Sequence, residues 1–153
     1  MIAYPDTSFL CALYRQQANS ADAARHFEKM TEALHVSSLL LFEFRQSVRF
    51  QEFLHEMDPR KGFGRTDGRM MLQDLQSDIS GSAVVVAPVD WADVHNIAER
   101  LSAEYTGING HRALDVLHVA TALHLGAREF LTFDVSQRKL AQAESLKTLP
   151  KAF

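Results

Sequence analysis

Short β-like runs and helix-period segments alternate along this chain from end to end. "MIAYPD" reads as a strand closed by a turn, and "ADAARHFEKMTEA", residues 21–33, has helical spacing in Ala24, Phe27 and Met30. "LHVSS" is a second apolar run whose serines can cap the helix read in "LLLFEFRQSVRFQEFLHEM". The punctuated stretch "DPRKGFGRTDG", from Asp58 to Gly68, is expected to be a loop. After it come a helix in "RMMLQDLQSDI", a β-branched run "SAVVVAPVD" stopped by Pro88, and a helix in "WADVHNIAERLSAEY". A turn at "TGINGH", a buried helix in "RALDVLHVATAL", the strand "EFLTF", a helix in "SQRKLAQAE" and a last strand near "SLKTL" complete the series. Parallel strands need crossover connections, and those are usually helices. The expectation is therefore one three-layer α/β/α domain over residues 1–153, with a central, mostly parallel sheet.

The length of 153 residues allows a substantial core, and 46% apolar with 23% charged residues is ordinary globular usage. A net charge of −3 offers no global attraction to nucleic acid, so such a partner would need a local basic surface or bound cations. Cys11 is the single cysteine, which excludes an internal disulfide and a thiolate-rich zinc site. No run reaches bilayer length and the start lacks a charged leader, so the expected location is cytoplasmic, away from membranes.

In open parallel sheets, ligands bind beyond the carboxyl ends of the strands. Four acids fall there. Asp6 follows the first strand, Glu43 lies early in the helix after the second, Asp115 is in the first turn of the buried helix, and Asp134 follows "FLTF". Each has a structural alternative: Asp6 and Asp134 as helix caps, Glu43 and Asp115 as first-turn acids favoured by the helix dipole. Asp115 constrains most, because Leu114, Val116, Leu117, Val119, Ala120, Ala122 and Leu123 leave its helix apolar nearly all round. Crowded carboxylates repel unless cations sit among them, and Mg²⁺ or Mn²⁺ prefers oxygen ligands. Such ions can orient a phosphodiester and activate water, so hydrolysis of that bond is the natural reaction.

The ordered set "PDTSFL", "SSLLLFEFRQSVR", "RALDVLHVATAL" and "FLTFD" resembles the PIN-domain family of metal-dependent ribonucleases, above all the VapC-type toxins. By that resemblance Asp6, Glu43, Asp115 and Asp134 match the family's acidic constellation. Ser8 is matched as a hydroxyl partner and Thr132 as a small polar position. The resemblance further implies Mg²⁺ or Mn²⁺ dependence, RNA cleavage leaving 5′-phosphate and 3′-hydroxyl ends, homodimerisation, and neutralisation by a cognate antitoxin. Asp6 and Asp115 are expected as principal metal ligands, and Glu43 and Asp134 as ligands or water-orienting bases.

Pro5 departs from the family pattern, since a proline removes a backbone donor at the end of a central strand. Arg45, Arg49, Arg60, Lys61, Arg65 and Arg69, with Phe63 available to stack on a base, form a candidate RNA surface, against which stands an ordinary solvated face diluted by Glu52, Glu56, Asp58 and Asp67. His118 is expected as a satisfied core histidine rather than a catalyst. The competing functional reading is a catalytically inert PIN-like interaction module. A phosphoacceptor receiver-type domain is a third, and it lacks support in an acidic pair at the first strand.

Overall fold

The computed structural model describes residues 1–151, so the last two residues of the expected domain, Ala152 and Phe153, lie outside the described residues. Five short strands carry the fold: β1 (Ala3–Pro5), β2 (Leu34–Val36), β3 (Val84–Val86), β4 (Glu129–Leu131) and β5 (Lys147–Leu149). All their pairings are parallel. β4 lies between β1 and β5, with Tyr4 opposite Phe130 and Phe130 opposite Thr148, while β2 pairs with β3. β1 packs beside β2, and Tyr4 Oη lies 2.7 Å from Ser37 Oγ, yet no backbone hydrogen bond joins these two strands among the described residues. The strands thus stand in the spatial order β3-β2-β1-β4-β5.

Pro5 contributes to that seam. In a parallel strand the amides of alternate residues face the same neighbour. Asp6 donates its N–H to Leu131 O at 2.9 Å, which places Tyr4 and Asp6 on the β4 side and Ala3 and Pro5 on the β2 side. The donor that proline lacks is therefore one that would have faced β2, and the β4 ladder that fixes Asp6 is intact.

Among the described residues, eight α-helices connect and cover the strands: α1 (Thr7–Tyr14), α2 (Ser20–Glu28), α3 (Ser38–Met57), α4 (Arg65–Ser80), α5 (Trp91–Leu101), α6 (Gly107–Asn109), α7 (Ala113–His124) and α8 (Val135–Ala143). α1 touches α2, α3 and α4, whereas α7 touches α5 and α8. Those two groups fit right-handed crossovers, which run one way from β1 through β2 to β3 and the other way from β4 to β5. The direction reverses between β1 and β4. The core between the layers includes the fully buried Tyr4, Phe9, Phe44 and Phe130, and the rings of Tyr4 and Phe130 stack with centroids 6.3 Å apart. Burying one such ring contributes about 1.5–3 kcal/mol.

Several boundaries differ from the sequence expectation. The helix expected to reach Ala33 ends at Glu28, where Lys29 N and Met30 N turn to the carbonyls three residues back, His26 O and Phe27 O, while Phe27 and Met30 still pack against the core. The loop expected from Asp58 to Gly68 is shorter: α4 starts at Arg65 with Gly64 as its N-cap, and Gly68 is buried inside the helix against Glu52. The "TGINGH" turn is largely helical, with a π-type turn at Ser102–Thr106 leading into α6 and closing at Gly110 in the left-handed region. No helix among the described residues is long and apolar enough to cross a membrane.

Candidate active site

Asp6 lies at the end of β1, beside the point where strand order reverses. Its side chain caps α1, with Oδ1 accepting from Phe9 N at 2.9 Å, so the capping explanation holds. The cap does not exhaust the group. Ser8 Oγ donates to Oδ1 at 2.6 Å and Thr132 Oγ1 donates to Oδ2 at 2.5 Å. Each hydroxyl also accepts a backbone N–H from the end of β4: Phe133 N on Ser8 Oγ and Asp134 N on Thr132 Oγ1, both at 2.9 Å. Asp6 is fully buried. Burial pushes its carboxyl up to about 6, against the pull of the two hydroxyls and the Phe9 N–H.

Glu43 lies in the second turn of α3, whose first turn contains no acid, so the first-turn dipole explanation does not apply to it. Thr7 Oγ1 donates to Glu43 Oε2 at 2.6 Å, and His118 Nε2 donates to the same oxygen. Burial raises the Glu43 carboxyl, but the His118 and Thr7 bonds prevail and hold it below its usual range. His118 is indeed a buried histidine, at 0% exposure, yet not a fully satisfied one: Nδ1 is buried without a partner. The proton on Nε2 is committed to Glu43. His118 therefore holds one of the four acids in place, a relation that periodicity along α7 cannot show because Glu43 is 75 residues away.

Asp115 occupies the first turn of α7 and is buried, and Asp134 caps α8 by accepting from Gln137 N on Oδ1 at 2.8 Å. The charge partner that a buried Asp115 requires is Arg112. Arg112 Nε donates to Asp115 Oδ2 at 2.8 Å, and its Nη2 stands 3.8 Å from Asp134 Oδ2. The guanidinium is held protonated by Asp115 first, then by Asp134 and Glu43. His111, just before it, is buried and bonds Ser136 Oγ through Nδ1 at 3.0 Å, tying the start of α7 to α8.

The four acids thus share one edge and one network. Asp6 connects to Asp134 through Thr132, Glu43 to α7 through His118, and Asp115 and Asp134 to each other through Arg112. The donor set is all oxygen, which suits a hard cation, and a guanidinium already stands in for one between two of the acids. Among the described residues, no three His, Cys, Asp or Glu side chains converge as a ready-made ion cage.

The sequence model of the PIN domain matches residues 3–143. The chain belongs to the PIN-domain family. Among solved structures, VapC20 of Mycobacterium tuberculosis, described as a toxin that cleaves the sarcin-ricin loop, is similar at 20% identity over 90% of this chain and 93% of that one, with a TM-score of 0.64. FitAcB from Neisseria gonorrhoeae is similar at 17% identity, covering 97% of each chain, with a TM-score of 0.67. VapBC2 from Rickettsia felis, bound to a DNA fragment from its promoter, is similar at 14% identity over 97% of this chain and 98% of that one, with a TM-score of 0.67. At these identities the likeness establishes the fold. No curated protein sequence matches the chain significantly.

In this PIN domain the expected basic surface needs correction. Phe63 is not available to a base: it is buried, and the Arg15 guanidinium lies 4.6 Å over its ring. Arg60 is paired with Asp58 and Arg65 with Glu56, so part of the positive charge is cancelled locally. Arg49, Lys61 and Arg69 remain exposed.

Proposed function

We propose that this PIN domain, acting as a single domain, is a divalent-metal-dependent endoribonuclease and the toxin of a toxin–antitoxin pair. The observation that carries the reading is the placement of Asp6, Glu43, Asp115 and Asp134 along the carboxyl edge at the β1/β4 reversal, joined to their neighbours there through Thr132, His118 and Arg112. Mg²⁺, or Mn²⁺ in its place, would be held by these four acids, and when bound would orient the phosphodiester and lower the pKa of the attacking water.

The chain's own residues supply the rest. Ser8 and Thr132 fix both oxygens of Asp6 and leave it little rotational freedom. Thr7 and His118 aim Glu43 through one oxygen, so Oε1 is the atom open to a ligand or a water proton. Asp134 commits Oδ1 to the α8 cap and presents Oδ2. RNA is the substrate in this reading, with 5′-phosphate and 3′-hydroxyl products.

A protein partner is supported by the outer face of α3, where Phe42, Phe50, Phe53 and Met57 are all exposed and the Phe50 and Phe53 rings stack at 6.1 Å. Beside it, Leu39, Phe42, Trp91 and Leu117 line an apolar groove between α3, α5 and α7. In the proposed system a second copy and a cognate antitoxin share these surfaces, and the protein works in the cytoplasm. FitAcB and VapBC2 are the structural relatives that favour the antitoxin assignment.

The test uses the purified chain, freed of copurifying partners, with a mixed RNA pool and Mg²⁺ or Mn²⁺, beside Asp6→Ala and Asp115→Ala. Cleavage by the wild type alone, and only with metal, is the expected result. A folded wild type that neither cuts RNA nor binds metal is instead the inert interaction module.

A further inference from the structure

Arg112 combines two properties that pull in opposite directions. Its side chain is 75% exposed, so leaving its position sacrifices little packing. Its partner Asp115 has a side chain only 6% exposed, so a departure that left no cation behind would strand a buried charge. Arg112 is also the residue before the first turn of α7, and its side chain makes no capping bond there. Moving the guanidinium therefore leaves the backbone of the helix start in place.

The atoms it engages, Asp115 Oδ2 and Asp134 Oδ2, belong to the proposed metal-binding set. One guanidinium and one divalent ion cannot both neutralise that pair at close range.

We propose that Arg112 is an internal counter-cation that competes with the divalent metal for Asp115 and Asp134, so that metal loading is an exchange in which the guanidinium swings out to solvent. The inference rests on the metal-dependent reading above. It assigns Arg112 a gating role toward the metal, distinct from any contact with substrate. In the metal-free protein Arg112 shields Asp115 and Asp134 from each other, and the cost of displacing it lowers the apparent metal affinity.

The experiment is a Mn²⁺ titration of metal-stripped full-length protein, followed by the electron paramagnetic resonance signal of free Mn²⁺. Wild type is compared with Arg112→Ala, Arg112→Gln and Asp115→Asn, each checked for folding by circular dichroism. Deleting the two carboxylate contacts that the metal must break to enter, each a unit-charge pair within about 4 Å in a water-like dielectric, is expected to tighten Mn²⁺ binding about tenfold in both Arg112 variants. Thermal melts give a second readout. Without metal the Arg112 variants melt below wild type, and saturating Mn²⁺ raises them by more than it raises wild type. Adding free guanidinium ion at a low, non-denaturing concentration weakens Mn²⁺ binding to Arg112→Ala more than to wild type.

Unchanged or weaker Mn²⁺ binding in both folded Arg112 variants, with binding lost in Asp115→Asn, overturns the exchange and leaves the metal site standing. No Mn²⁺ binding by any of the four proteins overturns both.

Discussion

Replacing Asp6 by Asn should stabilise the metal-free protein at neutral pH. Asp6 is fully buried, and its carboxyl is raised from an ordinary 3.8 to about 6 by burial. Between those two values the native state holds a proton that the unfolded chain has released. Native stability therefore falls as pH rises through that window, and the deficit is complete above pH 6. At about 1.4 kcal/mol per pH unit, the gap between 3.8 and about 6 amounts to about 3 kcal/mol. Asn keeps an acceptor for Phe9 N and Ser8, and Thr132 Oγ1 can accept from the new amide, so the network survives the change. The assay is urea unfolding of wild type and Asp6→Asn in chelator across the acid-to-neutral range. The stability difference between the two proteins should grow by about 3 kcal/mol with rising pH, which for a chain of this size is about 6–12 °C in Tm at neutral pH. A difference that stays flat with pH would falsify the claim that burial of Asp6 outweighs the hydrogen bonds that Ser8, Thr132 and Phe9 N donate to it.

Three other substitutions probe the surrounding structure. Glu43 is shifted the other way, below its ordinary 4.5, so its contribution is present above that pH and lost as the pH falls through its folded value. Glu43→Gln should therefore destabilise the metal-free protein at neutral pH and approach wild type in acid, measured by the same unfolding series; equal stability at neutral pH would show that the His118 bond contributes nothing. Gly62 and Gly110 both have positive φ, 58° and 68°, but a Cβ at Gly62 would lie 2.0 Å from Gln51 O while one at Gly110 meets nothing within 4 Å. Both Ala variants carry a left-handed penalty of about 1–2 kcal/mol, and Gly62→Ala should melt well below Gly110→Ala because the α3–α4 connection must also shift; matching melts would refute that reading.

What could be read from the sequence was whatever depends on near neighbours. The alternation of β-like and helical runs led to the parallel order, and the acids after β1 and β4 stood out because strand ends are legible from "PDTSFL" and "FLTFD". The roles that were missed depend on distant partners. His118 looks like core packing along α7, and only the fold brings Glu43 to it. Arg112 reads as one more charge before a helix until Asp134, 22 positions on, is placed beside it. Phe63 sits in a polar, glycine-rich stretch that suggests exposure, but the reversal at Gly62 folds it under Arg15. Helix ends were least legible, as in the early stop of α2 and the early start of α4.

The seam beside Pro5 divides the acids between two structural units. Asp6 and Asp134 are anchored to the β1-β4-β5 half, whereas Glu43 follows the β2-β3 half on α3. Among the described residues, side-chain hydrogen bonds join the two halves at that line, Tyr4 to Ser37, Thr7 to Glu43 and His118 to Glu43. The gap between Glu43 and Asp6 can therefore open or narrow without breaking a rung of either ladder. Among the described residues, the spacing between Glu43 and Asp6 is thus the one dimension of the acidic edge that side-chain contacts, and no ladder hydrogen bond, define.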